Sequence, residues 1–260
     1  MKLVELIVLV TLILAMALML TYAYMYLTPT TDVRNLAVFY LVTTYNPQVQ
    51  YLTVNSPEAV TAIVWDYRGL DTLFETAVFY LALIAGLALV RNLYVENIPQ
   101  SSNINGGLSV IVKTVTKITA PMIIAVGASI GLHGHLTPGG GFQGGATIAV
   151  APMVMIVIFS TLYLLVKKVT TSKMLLLRSL GLIGIGLTSI SAFLIGLASG
   201  RLAYVFQNMP KANAPIGLPA ELNGVLISGT LWFFNLFEML AVAAGFTMGF
   251  IVLMLVGKER

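Results

Sequence analysis

The stretch Gly134-His135-Leu136-Thr137-Pro138-Gly139-Gly140-Gly141-Phe142-Gln143-Gly144-Gly145 interrupts a long apolar part of the chain. It is rich in glycine, contains one proline, and has apolar runs on both sides. Each interior glycine costs a helix about 1 kcal/mol and proline about 3 kcal/mol relative to alanine. We therefore expect residues 134–145 to form a non-helical break between two helices.

The composition places the chain in the membrane. Hydrophobic residues make up 58% of the sequence, charged residues only 9%, and the mean hydropathy is +0.94. A soluble domain carries about 25% charged residues. The chain has no cysteine, which excludes disulfides, thiolate metal sites and cysteine nucleophiles. The net charge of +4 is too small and dispersed to indicate nucleic-acid binding.

Six apolar runs are long enough, or nearly so, to cross a bilayer, which needs about 20 residues. The predicted spans are residues 4–26, 72–90, 118–132, 146–166, 175–199 and 225–256. The third is short unless it begins nearer Val110. The first could instead be a cleaved signal peptide, but its apolar run continues well past the candidate cleavage site. The fold class predicted is an all-α polytopic membrane protein with the glycine-rich break between helices 3 and 4.

Charge placement predicts the topology. With six spans and both termini on one side, ten lysines and arginines lie on the side of the termini and four on the other. Positive charge is enriched in cytoplasmic loops, so both termini are predicted to be cytoplasmic and the break to lie on the outer side. Arg178, counted on the inner side, is expected to reach the interface by snorkelling from a helix end.

A polar connector predicts a division of the chain. The segment Ser101–Gly107 has the composition of a linker. We therefore predict a two-helix region over residues 1–100, a linker over 101–109 and a four-helix region over 110–260.

Glu238 is the clearest candidate for ion chemistry. It stands about 13 residues into the predicted sixth span, which is about 20 Å along a helix and close to mid-membrane. A charged carboxylate there costs at least ~2.5 kcal/mol, and such residues commonly face a cavity or an ion path. The alternative is a protonated or paired glutamate at an interface, with Asn235 one turn earlier on the same face.

Two further carboxylates stand near the second span. The segment Thr72-Leu73-Phe74-Glu75 has the pattern of a capping box, in which Thr72 and Glu75 satisfy backbone donors at a helix start. Yet the surrounding segment carries more charge than one cap requires. Glu75 and, less strongly, Asp71 are therefore also candidates for a proton or ion path.

His133 and His135 flank Gly134 at the entrance of the break. Histidine titrates near neutral pH and serves as a proton relay. The same two side chains could instead hydrogen-bond carbonyl groups of the loop. A metal site is the weakest of the three alternatives, because the two histidines lack nearby cysteine or carboxylate ligands, and no metal site is predicted.

The break itself has three physical interpretations. Non-helical backbone at membrane depth is tolerated where it is buried or lines a wet cavity, so the break could line an ion route. Its glycines could also admit a closely packed helix or subunit, or the break could be an exposed hairpin. Nucleotide-binding loops are excluded, because neither a Gly-Lys-Ser/Thr sequence nor a strand with an acidic partner follows the glycines.

The motif resembles that of a known family. The residues Thr137, Pro138, Gly139, Gly140, Gly141, Phe142, Gly144 and Gly145, followed by an apolar span, resemble the signature of the B subunit (MnhB) of Mrp-type sodium/proton antiporters. They are also similar to its counterpart in membrane-bound hydrogenases and related respiratory complexes. The resemblance covers about residues 110–256 and includes an acidic residue in the last span, Glu238.

The first region resembles a different subunit. The segment Trp65–Thr76 is similar to the C-terminal part of the Mrp A subunit, or to the small separate subunit that replaces it in those hydrogenases. The chain thus resembles a fusion of two neighbouring small subunits, joined near the polar linker.

The resemblance implies a non-redox subunit of an antiporter module in the cytoplasmic membrane of a prokaryote. Its partners would be other Mrp-type subunits and, in a larger complex, membrane-arm subunits of a hydrogenase or sulfur reductase. The chain itself would hold no cofactor, and sodium ions and protons are the candidate transported species. It would either contribute to the ion path or act as a scaffold. A free-standing enzyme is disfavoured, since no nucleophile, base and orienting group stand at a recognisable spacing.

Overall fold

The computed structural model describes residues 3–26, 33–46, 48, 53–90 and 108–256. Within them, six helices are long and apolar enough to cross a membrane, which confirms the predicted fold class. These helices are α1 (Leu3–Tyr26), α4 (Gly69–Leu89), α5 (Val110–Leu132), α6 (Gly141–Phe159), α8 (Thr171–Ser199) and α9 (Leu231–Val256).

Short elements lie between the long helices. They are α2 (Asn35–Thr44), α3 (Ala59–Ala62), a π-helical turn (Ile63–Tyr67), α7 (Thr161–Val166) and the antiparallel strands β1 (Glu221–Leu222) and β2 (Val225–Leu226). The apolar residues 36–42 lie in α2, which is too short to span a bilayer. The π-helical turn runs directly from α3 and leads into α4 through Arg68.

The chain divides into two compact units, residues 1–39 and 40–260. In the first unit, the side chains of α1 from residue 5 to 25 are exposed throughout. The division falls within α2, and the second unit contains all later helices and both strands. The predicted linker at 101–109 lies outside the described residues except for Leu108 and Ser109, and the division into regions 1–100 and 110–260 stays a prediction.

Glycines allow the helices of the second unit to pack closely, with α6 between α5 and α9. A Cβ on Gly144 would come within 2.7 Å of the Gly131 backbone on α5. On the other side of α6, a Cβ on Gly145 would come within 2.6 Å of the Met239 carbonyl oxygen on α9. In lipid the hydrophobic effect does not drive helices together, and the van der Waals contacts of closely packed backbones stabilise their association instead.

The bounds of α6 and the start of α9 differ from the prediction, and α5 takes the longer of the two predicted forms. Helix α5 begins at Val110, where Ser109 caps it, so the third span is not short. Helix α6 begins at Gly141 rather than Ala146 and ends at Phe159, before the separate short helix α7. Helix α9 begins at Leu231 rather than Val225, because Val225 belongs to the β-hairpin and a turn with positive φ at Ser228 and Gly229 follows it.

Part of the glycine-rich stretch is therefore helical. The prediction that all of residues 134–145 avoid helix holds only up to Gly140, and it is wrong for Gly141–Gly145. Gly139 has a φ of 149°, a conformation that favours glycine, whereas the later glycines take ordinary helical positions. Their propensity cost is outweighed by the close packing that only glycine permits against α5 and α9.

An aromatic core holds the pre-α4 connector, residues 53–68 with α3 and the π-helical turn, against the helices. The indole of Trp65 stacks on Phe234 of α9 with ring centres 4.4 Å apart, and Phe206 stacks on the same ring at 5.9 Å. Ile185 of α8 and Val54 complete this buried cluster. The connector is thereby fixed at the end of the helices where α4, α6 and α9 begin.

Candidate functional site

One cavity of about 210 Å³ is lined by two of the five candidate ion-path residues, Glu75 and Glu238, and by part of the glycine-rich motif. It is bounded by the π-helical turn, α4, the last residues of the glycine loop with the start of α6, and α9. Its polar and backbone lining includes Trp65, Glu75, Gly140, Phe142, Asn235 and Glu238. The structure thus brings together two of the candidate carboxylates and the glycine-rich motif, although they come from distant parts of the chain.

Glu238 lies at the base of the cavity with 6% of its surface exposed. Its carboxyl group lies against the first turn of α6, next to Gly141 and the backbone N–H of Phe142. The first N–H groups of a helix have no partner within the helix and attract negative charge. Helix α6 therefore begins on a carboxylate supplied by α9.

Glu238 stands nearer the start of its helix than the sequence predicts. Because α9 begins at Leu231, Glu238 stands seven residues into the helix, about 10 Å from its start at 1.5 Å per residue. The predicted depth of about 20 Å was wrong, since it counted the β-hairpin and the following turn as helix. The cavity therefore lies nearer the end of the bundle at which α9 begins.

Two buried nitrogen donors belong to residues that line the cavity together with Glu238. Asn235, one turn earlier on α9, accepts a hydrogen bond from the Gly141 N–H through Oδ1 at 3.3 Å. Its Nδ2 has no hydrogen-bond partner, and neither has Nε1 of Trp65. The Trp65 indole N–H faces the Glu238 carboxyl group without reaching hydrogen-bond geometry. Both residues are only 1% exposed.

Glu75 lines the mouth of the same cavity and interacts electrostatically with Glu238. Its side chain is exposed. The capping-box interpretation is wrong, because α4 begins at Gly69 and the hydroxyl of Thr72 instead donates to the Val64 carbonyl oxygen at 2.8 Å. The π-helical turn supplies that acceptor, which ties the beginning of α4 to the connector. Glu75 is left free of a capping role.

Asp71 points away from the cavity. It forms an ion pair with Arg68, and both side chains are about two-thirds exposed. Its role in the ion path stays a prediction. The ion pair with Arg68 is sufficient to explain a charged residue at this position. The neighbouring Asp66 is more buried, and that burial raises its pKa, while Lys211 lowers it in part.

The two histidines face different surroundings. His135 is 2% exposed, and its Nε2 donates to the Leu226 carbonyl oxygen of β2 at 2.8 Å. Its own carbonyl oxygen accepts from the Ser56 hydroxyl at 2.7 Å. Burial lowers the pKa of His135 from its usual value, and the hydrogen bond to Leu226 offsets this only in part. His133 is exposed, with Nδ1 at 3.0 Å from the Ser129 carbonyl oxygen.

These contacts favour the structural interpretation of His135, which joins the loop to β2 and to the connector. In the described residues no group of three histidine, aspartate or glutamate side chains is placed to hold a metal ion. The proton-relay role of His133 and His135 stays a prediction, and neither ring lines the cavity.

The rest of the motif shows which interpretation of the break fits each residue. Thr137 donates to the His133 carbonyl oxygen at 3.3 Å and is exposed with Pro138. Gly139 and Gly140 line the cavity. Gly141, Gly144 and Gly145 pack against this chain's own helices. The break is not an exposed hairpin, because Gly134, His135 and Gly140 are buried.

Arg178 was misread from the sequence. It does not snorkel, because α8 begins at Thr171 and places Arg178 two turns inside the helix with 1% exposure. Its Nη1 donates to the Ala241 carbonyl oxygen at 2.9 Å, and its guanidinium carbon lies 4.3 Å from the centre of the Phe79 ring. Nε has no partner. A basic residue within an otherwise apolar run was the available signal.

Trp65 and Asn235 were also missed as cavity residues in their own right. The signal for Asn235 was an amide inside an apolar span, where a polar group must find a partner or a cavity. The signal for Trp65 was weaker, since an aromatic residue before a span is common at a membrane interface.

Comparison with known proteins gives a consistent result. Residues 111–248, more than half of the chain, match a family model described as a domain related to the MnhB subunit of the Na+/H+ antiporter. An uncharacterized protein of Methanocaldococcus jannaschii is 29% identical over 205 residues, which cover 73% of this chain and 74% of that protein.

Two solved structures are similar. One is a chain of the membrane-bound sulfane sulfur reductase, an archaeal respiratory membrane complex, with a TM-score of 0.59 and 28% identity; the match covers 96% of this chain and 97% of that one. The other is a chain of the Mrp complex from Dietzia sp. DQ12-45-1b, with a TM-score of 0.57 and 18% identity. That match covers 98% of this chain but 26% of the other, and it concerns the fold alone.

Proposed function

Because the chain belongs to the family of domains related to the MnhB subunit of Na+/H+ antiporters, we propose that it is a non-redox membrane subunit of an Mrp-type antiporter module. In this proposal, the cavity between the π-helical turn, α4, α6 and α9 is part of the ion path, and Glu238 and Glu75 are the groups that exchange ions along it.

One observation carries the proposal. Glu238 is buried on a membrane-spanning helix, faces a cavity rather than a basic side chain, and shares that cavity with a second carboxylate. Carboxylates inside a membrane are costly and commonly mark ion or proton pathways. Gly141, at the start of α6, leaves room for this carboxyl group, and Asn235 accepts a hydrogen bond from the Gly141 N–H. The carboxyl group can therefore be accommodated there.

The position of Glu75 supports membership of a multisubunit complex. Its side chain is exposed six residues into α4, about 9 Å from the start of a helix that is apolar enough to span a membrane. A carboxylate facing lipid at that depth is unfavourable. A neighbouring subunit that covers the mouth of the cavity would remove Glu75 from lipid and continue the ion path.

The parent complex proposed is a respiratory complex of the sulfur-reductase or hydrogenase kind, with other Mrp-type subunits as partners. The likeness to a chain of the sulfane sulfur reductase complex, which spans nearly the whole of both chains, supports this. We further propose that residues 1–100 correspond to the C-terminal part of the Mrp A subunit. The proposed location is the cytoplasmic membrane of a prokaryote, with both termini cytoplasmic and sodium ions and protons as the transported species.

The test is Glu238→Gln in the assembled complex, reconstituted in vesicles. Glutamine keeps the size of the side chain but cannot take up or release a proton. We expect sodium-dependent proton flux to fall to a small fraction of the wild-type value, with subunit composition unchanged on purification. Glu221→Gln, on the exposed strand β1, is the matched control and is expected to leave flux unchanged.

The alternative function is a scaffold that holds neighbouring subunits together. It is favoured by the exposed surface around Glu75, which needs a partner whether or not ions pass. Normal flux in a fully assembled Glu238→Gln complex would establish this alternative and remove Glu238 from the ion path.

A further inference from the structure

The cavity presents nitrogen donors that lack an acceptor. Nε1 of Trp65 and Nδ2 of Asn235 are both buried and unpartnered, and both residues line the cavity. The amide of Asn235 is oriented by its Oδ1, which accepts from the Gly141 N–H. Buried donors in folded proteins nearly always have an acceptor, such as an ordered water. These donors therefore call for oxygen atoms that accept hydrogen bonds.

The groups that face Glu238 are two N–H donors and one carboxylate. From α6 comes the backbone N–H of Phe142, and from the π-helical turn the indole of Trp65. Gln143 of α6 and Asn235 of α9 are uncharged, and Glu75 of α4 is the charged group that interacts with Glu238. Asp66, in the π-helical turn, interacts with Lys211 instead.

Two hydroxyl groups in the cavity lining donate their protons to backbone carbonyl oxygens. Thr61 donates to the Gly134 carbonyl oxygen at 2.6 Å, and Thr72 donates to the Val64 carbonyl oxygen. A hard cation such as sodium needs several oxygen ligands at once. Around Glu238 it would meet N–H groups, whose positive ends repel it.

A proton makes no such demand, because it needs one carboxylate oxygen and a chain of waters. The volume of about 210 Å³ is enough for several waters, each of which occupies about 30 Å³ in the liquid. We infer that this cavity is a water-filled proton site built around Glu238 and does not bind sodium. The inference rests on the proposed function, because it names which of the two ions uses this part of the path.

The step assigned to Glu238 is a simple proton transfer. The O–H bond of the protonated carboxyl group breaks as a water oxygen in the cavity takes the proton, and the reverse step reloads the carboxylate. The N–H groups of Phe142 and Trp65, which face Glu238, stabilise the carboxylate that remains, as donors to an anion do at a helix start. Glu75 at the mouth then exchanges the proton with the neighbouring subunit.

Infrared difference spectroscopy of the assembled complex in lipid tests the identity of the ion. We expect a carboxylic-acid band that is present at low pH, disappears as the pH rises and is missing in Glu238→Gln. Raising the sodium concentration at constant pH should change the intensity of that band no more than the same concentration of choline does. A band that sodium removes and choline does not would overturn the inference, as would its absence at every pH.

The donors are tested with Trp65→Phe, which keeps the ring that stacks on Phe234 and removes the N–H. Trp232→Phe is the matched control, because Trp232 contacts Phe233 on α9 and does not line the cavity. We expect proton flux to fall several-fold in Trp65→Phe alone, with both variants equally stable to heat. Equal flux in the two variants would count against a hydrated donor site.

The two proposals can fail separately. If Glu238→Gln leaves flux unchanged, the proposed function is wrong, and the infrared titration still decides between proton and sodium at this site. If Glu238→Gln abolishes flux but sodium displaces the carboxylic-acid band, the antiporter role stands and only the assignment of the cavity to protons is wrong.

Discussion

The carboxyl group of Glu238 lies against Gly141 so closely that a Cβ added to this glycine would come within 2.6 Å of Oε2. The contact joins the start of α6 to α9 at the base of the cavity. It also explains why glycine is needed where a helix begins. A side chain at residue 141 would occupy the space of the carboxyl group.

Gly141→Ala is expected to destabilise the protein. The new methyl group would also approach the Asn235 carbonyl oxygen within 2.6 Å. Overpacking costs about 1–3 kcal/mol, more than the gain of up to about 1 kcal/mol in helix propensity. Thermal unfolding in detergent should show a melting temperature lowered by several degrees. Gly186→Ala, in α8 with open space around it, is the control and should be neutral or slightly stabilising.

Asn208→Ala is expected to loosen the connection between the connector and α9. Oδ1 of the buried Asn208 accepts from the Thr230 N–H at 2.6 Å, and its Nδ2 donates to the Val54 carbonyl oxygen at 3.2 Å. Truncation leaves these groups buried without partners, at a cost of roughly 2–4 kcal/mol. Unfolding in denaturant should show this loss, whereas the exposed Asn213→Ala should change stability little. Equal stability of both variants would refute the role given to Asn208.

Acid is expected to weaken the contacts by which His135 joins the glycine loop to β2 and to Ser56. Burial lowers the pKa of His135 in the folded protein below the ordinary value of 6.5, so the unfolded chain binds the proton more readily. The stability that the neutral ring contributes is complete above pH 6.5 and is lost as the pH falls through the lowered pKa.

The melting temperature, compared between pH about 7.5 and about 5.5, should fall less in His135→Gln than in the wild type. Glutamine can donate to the Leu226 carbonyl oxygen but does not titrate. His133→Gln, at the exposed ring, should keep the wild-type dependence. An unchanged pH dependence in His135→Gln would show that other groups cause it.

Arg178→Met is expected to preserve or raise stability. Methionine has a similar length and can fill the space beside Phe79, and it removes a guanidinium buried with an unpartnered Nε. Replacing a buried charge with a well-packed apolar side chain is often neutral or stabilising. Arg178→Ala should instead leave a cavity and cost about 2 kcal/mol or more. Unfolding curves of both variants test this, and an equal loss in both would make the bond to Ala241 the main contribution.

The spans could be predicted from the sequence because their signal is local. About 20 apolar residues in a row define a membrane helix whatever surrounds them, and all six runs were found. The start of α6 could not be predicted in this way. Helix propensity argued against Gly141–Gly145, and only the positions of α5 and α9 show what those glycines permit.

The cavity could not be predicted either, because contacts between distant parts of the chain form it. Glu75 and Glu238 could each be selected as carboxylates in apolar surroundings, but nothing in the spacing placed them together. Trp65 was overlooked because its importance comes from facing Glu238 while stacking on Phe234. Asp71 had the same local signal as Glu75, and the ion pair with Arg68 separates them only in three dimensions.

The buried guanidinium of Arg178 also bears on how the chain enters the bilayer. A buried arginine opposes insertion of its helix into the bilayer, at a cost of about 2.5–3.5 kcal/mol at a helix centre and less nearer the end, where Arg178 stands. Its hydrogen-bond acceptor, the Ala241 carbonyl oxygen, belongs to α9, which is synthesised later. We expect nascent chains that stop before α9 to leave α8 poorly inserted, which glycosylation mapping of truncated chains can measure, and Arg178→Met to insert without α9. The last helix would then act as an intramolecular chaperone for the one before it.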